Sequence, residues 1–364
     1  MIRAAVLEKP LEPLQVKGFP EPKMEPGSIL LKTVLSEVCG TDVHLFHGRL
    51  GECPYPIIPG HINVGIIEHI EGEVRDIDGV PFRTGELVTF LDVHNTCNNC
   101  WFCLVAKATT RCPHRKVYGI TYSAAEGLLG GWSQYIYLKP GTKIVRLPAG
   151  VSPERFIGGG CGLPTAFHAV ERAGIFIGDS VVVQGSGPVG LSASILARLA
   201  GALQVILVGG PRHRLELGLA MGADAVINID DTTPQERLER ILALTGGRGA
   251  DVTIEATGVP AALKEGMAFT RDNGTYVVVG QYTDNGTLEV NPHWEINKKH
   301  LDIRGTWGID FSHFYRSIQV LEHYGSQYPW ERFISREYSL AEVNQAIQDV
   351  EAQRVIKAVI NPWA

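Results

Sequence analysis

Positive charge is not in excess in this 364-residue chain: 33 lysines and arginines stand against 39 aspartates and glutamates, a formal net charge of −6. That balance gives no electrostatic reason to bind nucleic acid or an anionic membrane surface. Long apolar runs are missing too. The apolar stretches near 175–210 are broken by glycine, proline, glutamine and Arg198, so none reads as a bilayer span. The opening Met1-Ile2-Arg3-Ala4-Ala5-Val6-Leu7-Glu8 has no basic stretch leading into an apolar segment of signal-peptide length. Low-complexity linkers are absent, as are internal repeats beyond a β–α alternation. A cytoplasmic protein with no nucleic-acid or membrane partner is expected. Its 7 cysteines are an odd number, which argues against a fully paired disulfide framework. In a reducing compartment clustered cysteines read first as metal ligands or catalytic groups.

What is present is enough apolar sequence, 45 %, to build a core in each of about two domains of ~100–200 residues. Before residue 150 the texture is β-rich. Segments 29–35, 64–70, 87–91 and 135–138 are short, β-branched or aromatic, and bounded by glycine and proline. Helical spacing over 153–173 then opens an alternation. Strands are expected at 180–184, 204–208, 225–229, 252–256 and 276–279, with helices at 190–200, 214–221, 234–244 and 261–269 between them. Such alternation means βαβ units and a parallel sheet covered on both faces. Segments 314–323 and 340–351 look helical, and 356–360 looks like a final strand. The expected organisation is a doubly wound domain, 163–307, inserted between 1–162 and 308–364 of a mostly β domain.

The strand at 180–184 runs into Gly185-Ser186-Gly187-Pro188-Val189-Gly190, and a helix follows. In that context three glycines permit a tight turn, close backbone approach to a pyrophosphate, and close helix–strand packing, while the helix N-terminus supplies amides. Without the context the motif is weak. A carboxylate about 20 residues on should hold the adenosine ribose of NAD. The sequence there is Val208-Gly209-Gly210-Pro211-Arg212-His213-Arg214, with no acid. Arg212 and Arg214 are therefore either solvated helix-start residues or partners for a 2′-phosphate, and the balance leans to NADP over NAD.

Cys97, Cys100 and Cys103 are followed by Cys112. Four thiolates so closely spaced can close a tetrahedral shell around Zn²⁺, and a closed Cys₄ site is structural. Disulfide-paired or coincidentally buried cysteines are the bland alternative. A DNA-binding zinc ribbon finds no wider basic face beyond Lys107, Arg111, Arg115 and Lys116. Cys39, His61 and Cys161 remain. Singly, each reads as a core thiol or a satisfied core histidine. Together they offer Cys₂His with an open fourth position, the ligand set of a catalytic alcohol-oxidising zinc.

Across essentially its whole length the chain resembles the zinc-containing medium-chain alcohol dehydrogenases. The resemblance rests on Cys39-Gly40-Thr41-Asp42-Val43-His44, Gly60-His61, the four-cysteine lobe, Cys161, the glycine loop and Ile356-Lys357-Ala358-Val359-Ile360. It implies a GroES-like, mostly β catalytic domain with a Rossmann cofactor domain. It also implies one catalytic and one structural zinc, and a homodimer or homotetramer, often joined through edge strands of the parallel sheet near 277–281 or 287–290. Cys39, His61 and Cys161 would hold the catalytic ion. Thr41 matches the hydroxyl that bonds the substrate oxygen, His44 the histidine that passes the proton outward, and Asp42 the carboxylate that orients the ligating histidine. Gly185, Ser186, Gly187, Pro188, Val189 and Gly190, with Gly209, Gly210, Arg212, Arg214 and Lys357, would meet the cofactor. Ile62 departs from the family pattern, which has glutamate after the ligating histidine; Asn63 is the nearest polar replacement.

The implied activity is reversible oxidation of an alcohol, taken to be a bulky or cyclic secondary one because Val93 is small where many relatives carry an aromatic. His94, Leu163, Trp132, Trp294 and Trp307 are further pocket candidates, each tryptophan equally a core or interface residue. Polyol, amino-alcohol or aldehyde dehydrogenases of the same family are the alternatives. A zinc-free quinone or enoyl reductase and a non-catalytic relative that kept the fold are the remaining ones. Cys53 has no role beyond a free thiol.

Overall fold

In a computed structural model of the chain every residue but Glu52 is described. The chain divides into two compact units. One comprises Met1–Gly160, Asp310–Ser326 and Trp330–Ala364; the other comprises Cys161–Ile309 and Gln327–Pro329.

Through residue 160 the elements are β1 (Ile2–Val6), β2 (Gln15–Phe19), β3 (Ile29–Val38), α1 (Gly40–Phe46), β4 (Asn63–Ile70), β5 (Leu87–Phe90), β6 (Val93–Asn95), α2 (Trp101–Leu104), β7 (Lys116–Val117), β8 (Tyr135–Leu138), β9 (Ile144–Arg146) and α3 (Pro153–Gly159). Next come α4 (Gly162–Ala173), β10 (Ser180–Gln184), α5 (Pro188–Ala200), β11 (Gln204–Gly209), α6 (Arg212–Ala220), β12 (Ala225–Asn228), α7 (Pro234–Leu244), β13 (Ala250–Glu255), α8 (Pro260–Phe269), β14 (Thr270–Val278) and β15 (Asp302–Gly305). The closing elements are α9 (Phe311–Tyr324), β16 (Ile334–Tyr338), α10 (Val343–Glu351) and β17 (Lys357–Ile360).

In the first unit the sheet order is β16-β17-β3-β4-β5-β9, with β8 also paired to β3. The long β3, Ile-Leu-Leu-Lys-Thr-Val-Leu-Ser-Glu-Val, is its spine: apolar side chains on both faces enter two cores. One core joins Val38, Trp132, Tyr338 and Ile347; the other joins Ile29, Phe90 and Tyr118. The C-terminal strand β17 pairs with β3 antiparallel, Glu37 opposite Val359, and so ties the last residues to the strand that leads into Cys39.

The second unit is a six-stranded sheet in the order β12-β11-β10-β13-β14-β15, parallel throughout. That is the doubly wound order in which a dinucleotide lies at the carboxyl ends of the central strands. Val181, Val182 and Val183 of β10 are buried, as a strand covered on both faces requires. The helix over 234–244 begins as its sequence dictates, with Pro234 in the first turn and a reciprocal cap between Thr233 and Glu236.

Two expectations are corrected. The helical stretch 153–173 is two helices, because Gly160 sits at φ +43°, outside the helical region, and breaks the run before Cys161. The edge strands of the parallel sheet are β12 and β15, not 277–281 or 287–290. Val277 lies in β14, paired on both sides, and 287–290 form no strand.

Candidate active site

Strand β3 delivers Cys39 to the N-cap of α1. The Cys39 sulfur accepts a hydrogen bond from the Thr41 amide at 3.3 Å, and the Asp42 carboxylate accepts one from the Cys39 amide at 2.9 Å. The other Asp42 oxygen accepts a long bond from the Gly60 amide at 3.4 Å. One buried carboxylate therefore holds both turns that carry ligands. Position 60 must be glycine: a Cβ there would lie 2.4 Å from Trp132 Cδ1 and 2.7 Å from Ser36 Oγ. Next along the chain, His61 turns Nε2 toward the Cys39 sulfur at 3.7 Å and Nδ1 toward Asp42 at 3.8 Å. Cys161, continuing from Gly160, completes the group. Its sulfur, that of Cys39 and a ring nitrogen of His61 all lie within 4.8 Å of one another.

A tetrahedral zinc with Zn–S of about 2.3 Å and Zn–N of about 2.0–2.1 Å has ligand–ligand edges of roughly 3.5–3.8 Å. The Cys39–His61 separation matches that edge. Burial alone would lower the imidazole pKa, yet Cys39 and Asp42 outweigh it and set His61 well above its ordinary value. Thr41 lies in the first turn of α1 and His44 one turn on, half-buried. Burial, then Arg49 and His47, hold the His44 imidazole below its ordinary value.

Ile62 is buried, and its carbonyl accepts the Glu37 amide at 3.0 Å. Asn63 spends its amide on the Gly60 carbonyl at 3.2 Å, bracing the turn before His61. The carboxylate near this region is Glu37, which the sequence did not single out. It pairs with Lys357 at 2.7 Å, both side chains 1 % exposed, and Lys357 also donates to the Ile157 carbonyl at 2.9 Å. A Cβ on Gly160 would lie 2.0 Å from the Glu37 carboxylate and 2.4 Å from the Lys357 nitrogen, so the pair packs directly on the residue before Cys161. Lys357, expected at the cofactor, thus has an internal partner and not an outward one. Removing one member of a buried pair strands the other charge. Glu37→Ala is expected to destabilise the protein by about 3–5 kcal/mol, and the joint Glu37→Leu, Lys357→Met replacement to recover much of it. Melting temperatures of the three proteins decide this, and an unchanged value for Glu37→Ala would remove the pair from the stability of the site.

The four remaining cluster cysteines converge as well. Cys100 and Cys103 sulfurs are 3.5 Å apart and those of Cys97 and Cys112 3.6 Å, tetrahedral-edge distances far longer than the ~2.0 Å of a disulfide. All four lie within 4.8 Å of one another and none is disulfide-bonded. The Cys103 amide holds Cys100 down to about 7, while burial and the neighbouring thiols push Cys103 up to about 12. These thiols cannot all ionise together without a cation. Cys53 lies apart, half-buried against the first-unit core, its thiol pushed up by burial.

In the second unit Gly185 has φ +105° and its amide bonds the Val208 carbonyl at 2.7 Å. A Cβ on Gly190 would lie 1.8 Å from the Gly185 carbonyl oxygen, so helix and loop touch backbone to backbone. Gly187 caps α5, with Pro188 and Val189 in its first turn. Ser186 reaches across to β11, donating to the Gly210 carbonyl at 2.8 Å and accepting the Gly210 amide at 3.1 Å. The two arginines fare differently. Exposed Arg212 donates to Asp231 at 3.2 Å, whereas Arg214 is 8 % exposed and its pKa is lowered by burial.

Two domain models match the chain: an alcohol dehydrogenase GroES-like domain over residues 25–149 and a zinc-binding dehydrogenase domain over 188–323. The 5-exo-hydroxycamphor dehydrogenase of Pseudomonas putida is 33 % identical over 363 residues, 99 % of this chain and 98 % of that one. A solved alcohol dehydrogenase from Thermotoga maritima superposes with a TM-score of 0.94 at 34 % identity, covering 99 % of each chain. The chain belongs to the zinc-type medium-chain dehydrogenases.

A further member of that fold is a Sinorhizobium meliloti zinc-binding dehydrogenase structure bound to NADP, 26 % identical with a TM-score of 0.85, covering 100 % of this chain and 99 % of that one. This dehydrogenase is accordingly an oxidoreductase with a small-molecule alcohol substrate, and its two clusters support zinc alongside a nicotinamide cofactor. No helix among its described residues is long and apolar enough to cross a membrane. Of the pocket candidates, Val93 and Leu163 are buried and His94 is half-buried. Both His94 nitrogens are engaged, by the Tyr122 hydroxyl at 2.5 Å and the Pro140 carbonyl at 3.1 Å. Trp132 is a core residue whose indole N–H donates to the Glu37 carbonyl at 3.1 Å. Trp294 is 57 % exposed under Lys298, and Trp307 stacks on Tyr282.

Proposed function

We propose that this dehydrogenase is zinc-dependent and reversibly oxidises a bulky or cyclic secondary alcohol to its ketone with a nicotinamide nucleotide. The observation that carries the proposal is the convergence of Cys39, His61 and Cys161, which would hold a zinc ion by three side chains and leave room for a substrate oxygen. When bound there, zinc supplies Lewis acidity toward an alcohol oxygen, and the nicotinamide supplies a hydride acceptor. Everything else is the chain's own work. Asp42 faces Nδ1 of the His61 imidazole at 3.8 Å, while Nε2 turns to the Cys39 sulfur. Thr41, two residues from Cys39, is placed to hold the substrate hydroxyl. His44 lies on the same face of α1 at i+3 and takes the proton outward. Its lowered pKa leaves it neutral at neutral pH and able to accept that proton.

Thr41→Ala is expected to lower kcat about a hundredfold or more, the scale of a lost proton-transfer partner. His44→Ala should cost less, because water replaces an imidazole in a relay more readily than a hydroxyl on the substrate. Since the neutral form is the acceptor, kcat/KM for oxidation falls as pH drops through the His44 pKa, which lies below 6.5. That acid limb should shift or vanish in His44→Ala; a limb that stays put excludes His44 from the path.

The small Val93 on β6 and the kinship to a hydroxycamphor dehydrogenase both favour a cyclic secondary alcohol. A panel of primary, acyclic secondary and cyclic alcohols, ranked by kcat/KM, tests this, and a clear preference for primary alcohols overturns it. Zinc near two atoms per chain, by elemental analysis, tests the metal half.

A further inference from the structure

The end of β11 is bare: Gly209 and Gly210 carry no side chain, and the sequence offers no acid there. Both are held closely. A Cβ on Gly209 would meet Ser186 Oγ at 2.6 Å, and a Cβ on Gly210 would meet Asp230 Oδ2 at 3.1 Å and Asn228 Oδ1 at 3.2 Å. The space that a side chain at the strand end would enter is thus bordered by an Asp230 carboxylate oxygen arriving from beyond β12. The turn that brings it there is built in. Asn228 Oδ1 accepts the Asp230 amide at 3.1 Å, and the Asn228 carbonyl accepts the Thr232 hydroxyl at 2.6 Å. The second acid, Asp231, is otherwise employed, taking bonds from the Asn228 amide at 2.8 Å and from Arg212 at 3.2 Å.

The carboxyl end of β11, beside the glycine loop, is where the adenosine ribose of a dinucleotide falls in this strand order. A carboxylate there accepts bonds from both ribose hydroxyls and repels a 2′-phosphate. We infer that Asp230 is the ribose-recognising acid of this enzyme, supplied by the turn after β12 in place of the β11 end, and that it selects NAD over NADP. Arg212 is charge-compensated by Asp231 and Arg214 is buried, so neither stands as an open phosphate receptor. The inference reverses the lean drawn from the arginines alone. It rests on the proposal that the Gly185–Gly190 loop holds a nicotinamide nucleotide.

The test is direct binding of NADH and NADPH to the purified zinc-loaded enzyme, by nicotinamide fluorescence and calorimetry, for wild type, Asp230→Asn and Arg212→Ala. Asparagine keeps the turn, because the Asp230 amide and not its carboxylate makes the bond to Asn228. Wild type is expected to bind NADH at least ~30-fold tighter than NADPH, and Asp230→Asn to narrow that ratio at least ~10-fold, gaining NADPH while losing NADH, the size a single like-charge contact near the surface allows. Tighter NADPH binding by wild type, lost in Arg212→Ala, overturns the inference in favour of the arginine. An NADH preference that survives Asp230→Asn unchanged also overturns it. Failure of wild type to bind either nucleotide strikes instead at the assignment of the glycine loop.

Discussion

Alanine in place of Cys39 or His61 is expected to reduce kcat/KM for alcohol oxidation by at least about a thousandfold, the equivalent of ~4 kcal/mol of transition-state stabilisation. The magnitude follows from what the cluster is for. Three ligands share one centre, and losing one leaves too few donors to hold a Lewis acid against water. Metal content should fall from about two zinc atoms per chain to about one, since the Cys97, Cys100, Cys103 and Cys112 group is untouched. The melting temperature should move little by comparison. Elemental analysis and steady-state kinetics on the same preparation decide the matter. Wild-type turnover in either variant, or in protein stripped of zinc, would dismantle the proposed chemistry.

Serine at position 97 is expected to do the opposite: a large loss of stability with little change in the chemistry of the molecules that remain folded. None of the four residues of α2 is buried, and Trp101, Leu104 and Val105 are each exposed. A lobe that buries so little apolar surface has to be held by its metal, and structural zinc binding is folding free energy. A loss of about 5 kcal/mol is expected, which for a unit of this size lowers the melting temperature by roughly 10–20 °C. One zinc per chain should leave, while KM for alcohol and kcat of the folded fraction stay within about threefold of wild type. A melting temperature that matches wild type would show that the thiols are held by something other than an ion.

Local chemistry explains how much of this could be read beforehand. The strand at 180–184 and the helix over 234–244 emerge at the expected bounds, because apolar runs and caps act within a few residues. The convergence of the four clustered thiols was readable from their spacing, whereas Cys39, His61 and Cys161, each a plausible core residue alone, stood out as a set and through the family resemblance. What escaped depends on distant partners. Gly160 breaks the helix at 153–173 beside Glu37 and Lys357, the latter about two hundred positions away in the chain. That Lys357 pairs with Glu37 could not be read from sequence either. An acid was sought at the end of β11, where there is none; the Asp230 carboxylate that borders Gly210 comes from beyond β12, a neighbourhood visible only once parallel strands are laid side by side. Trp132 gave no sign in sequence of being the wall against which Gly60 is pressed.

Since the Asp42 carboxylate grips the amides of Cys39 and Gly60, the thiol and the imidazole are mounted on a single bracket. Any substitution that tilts α1 to reshape the substrate side will drag both donors with it. Variants chosen on that helix for new alcohols should therefore surrender metal affinity in step with the shift in selectivity, whereas changes at Val93, which is not attached to the bracket, are free of that penalty.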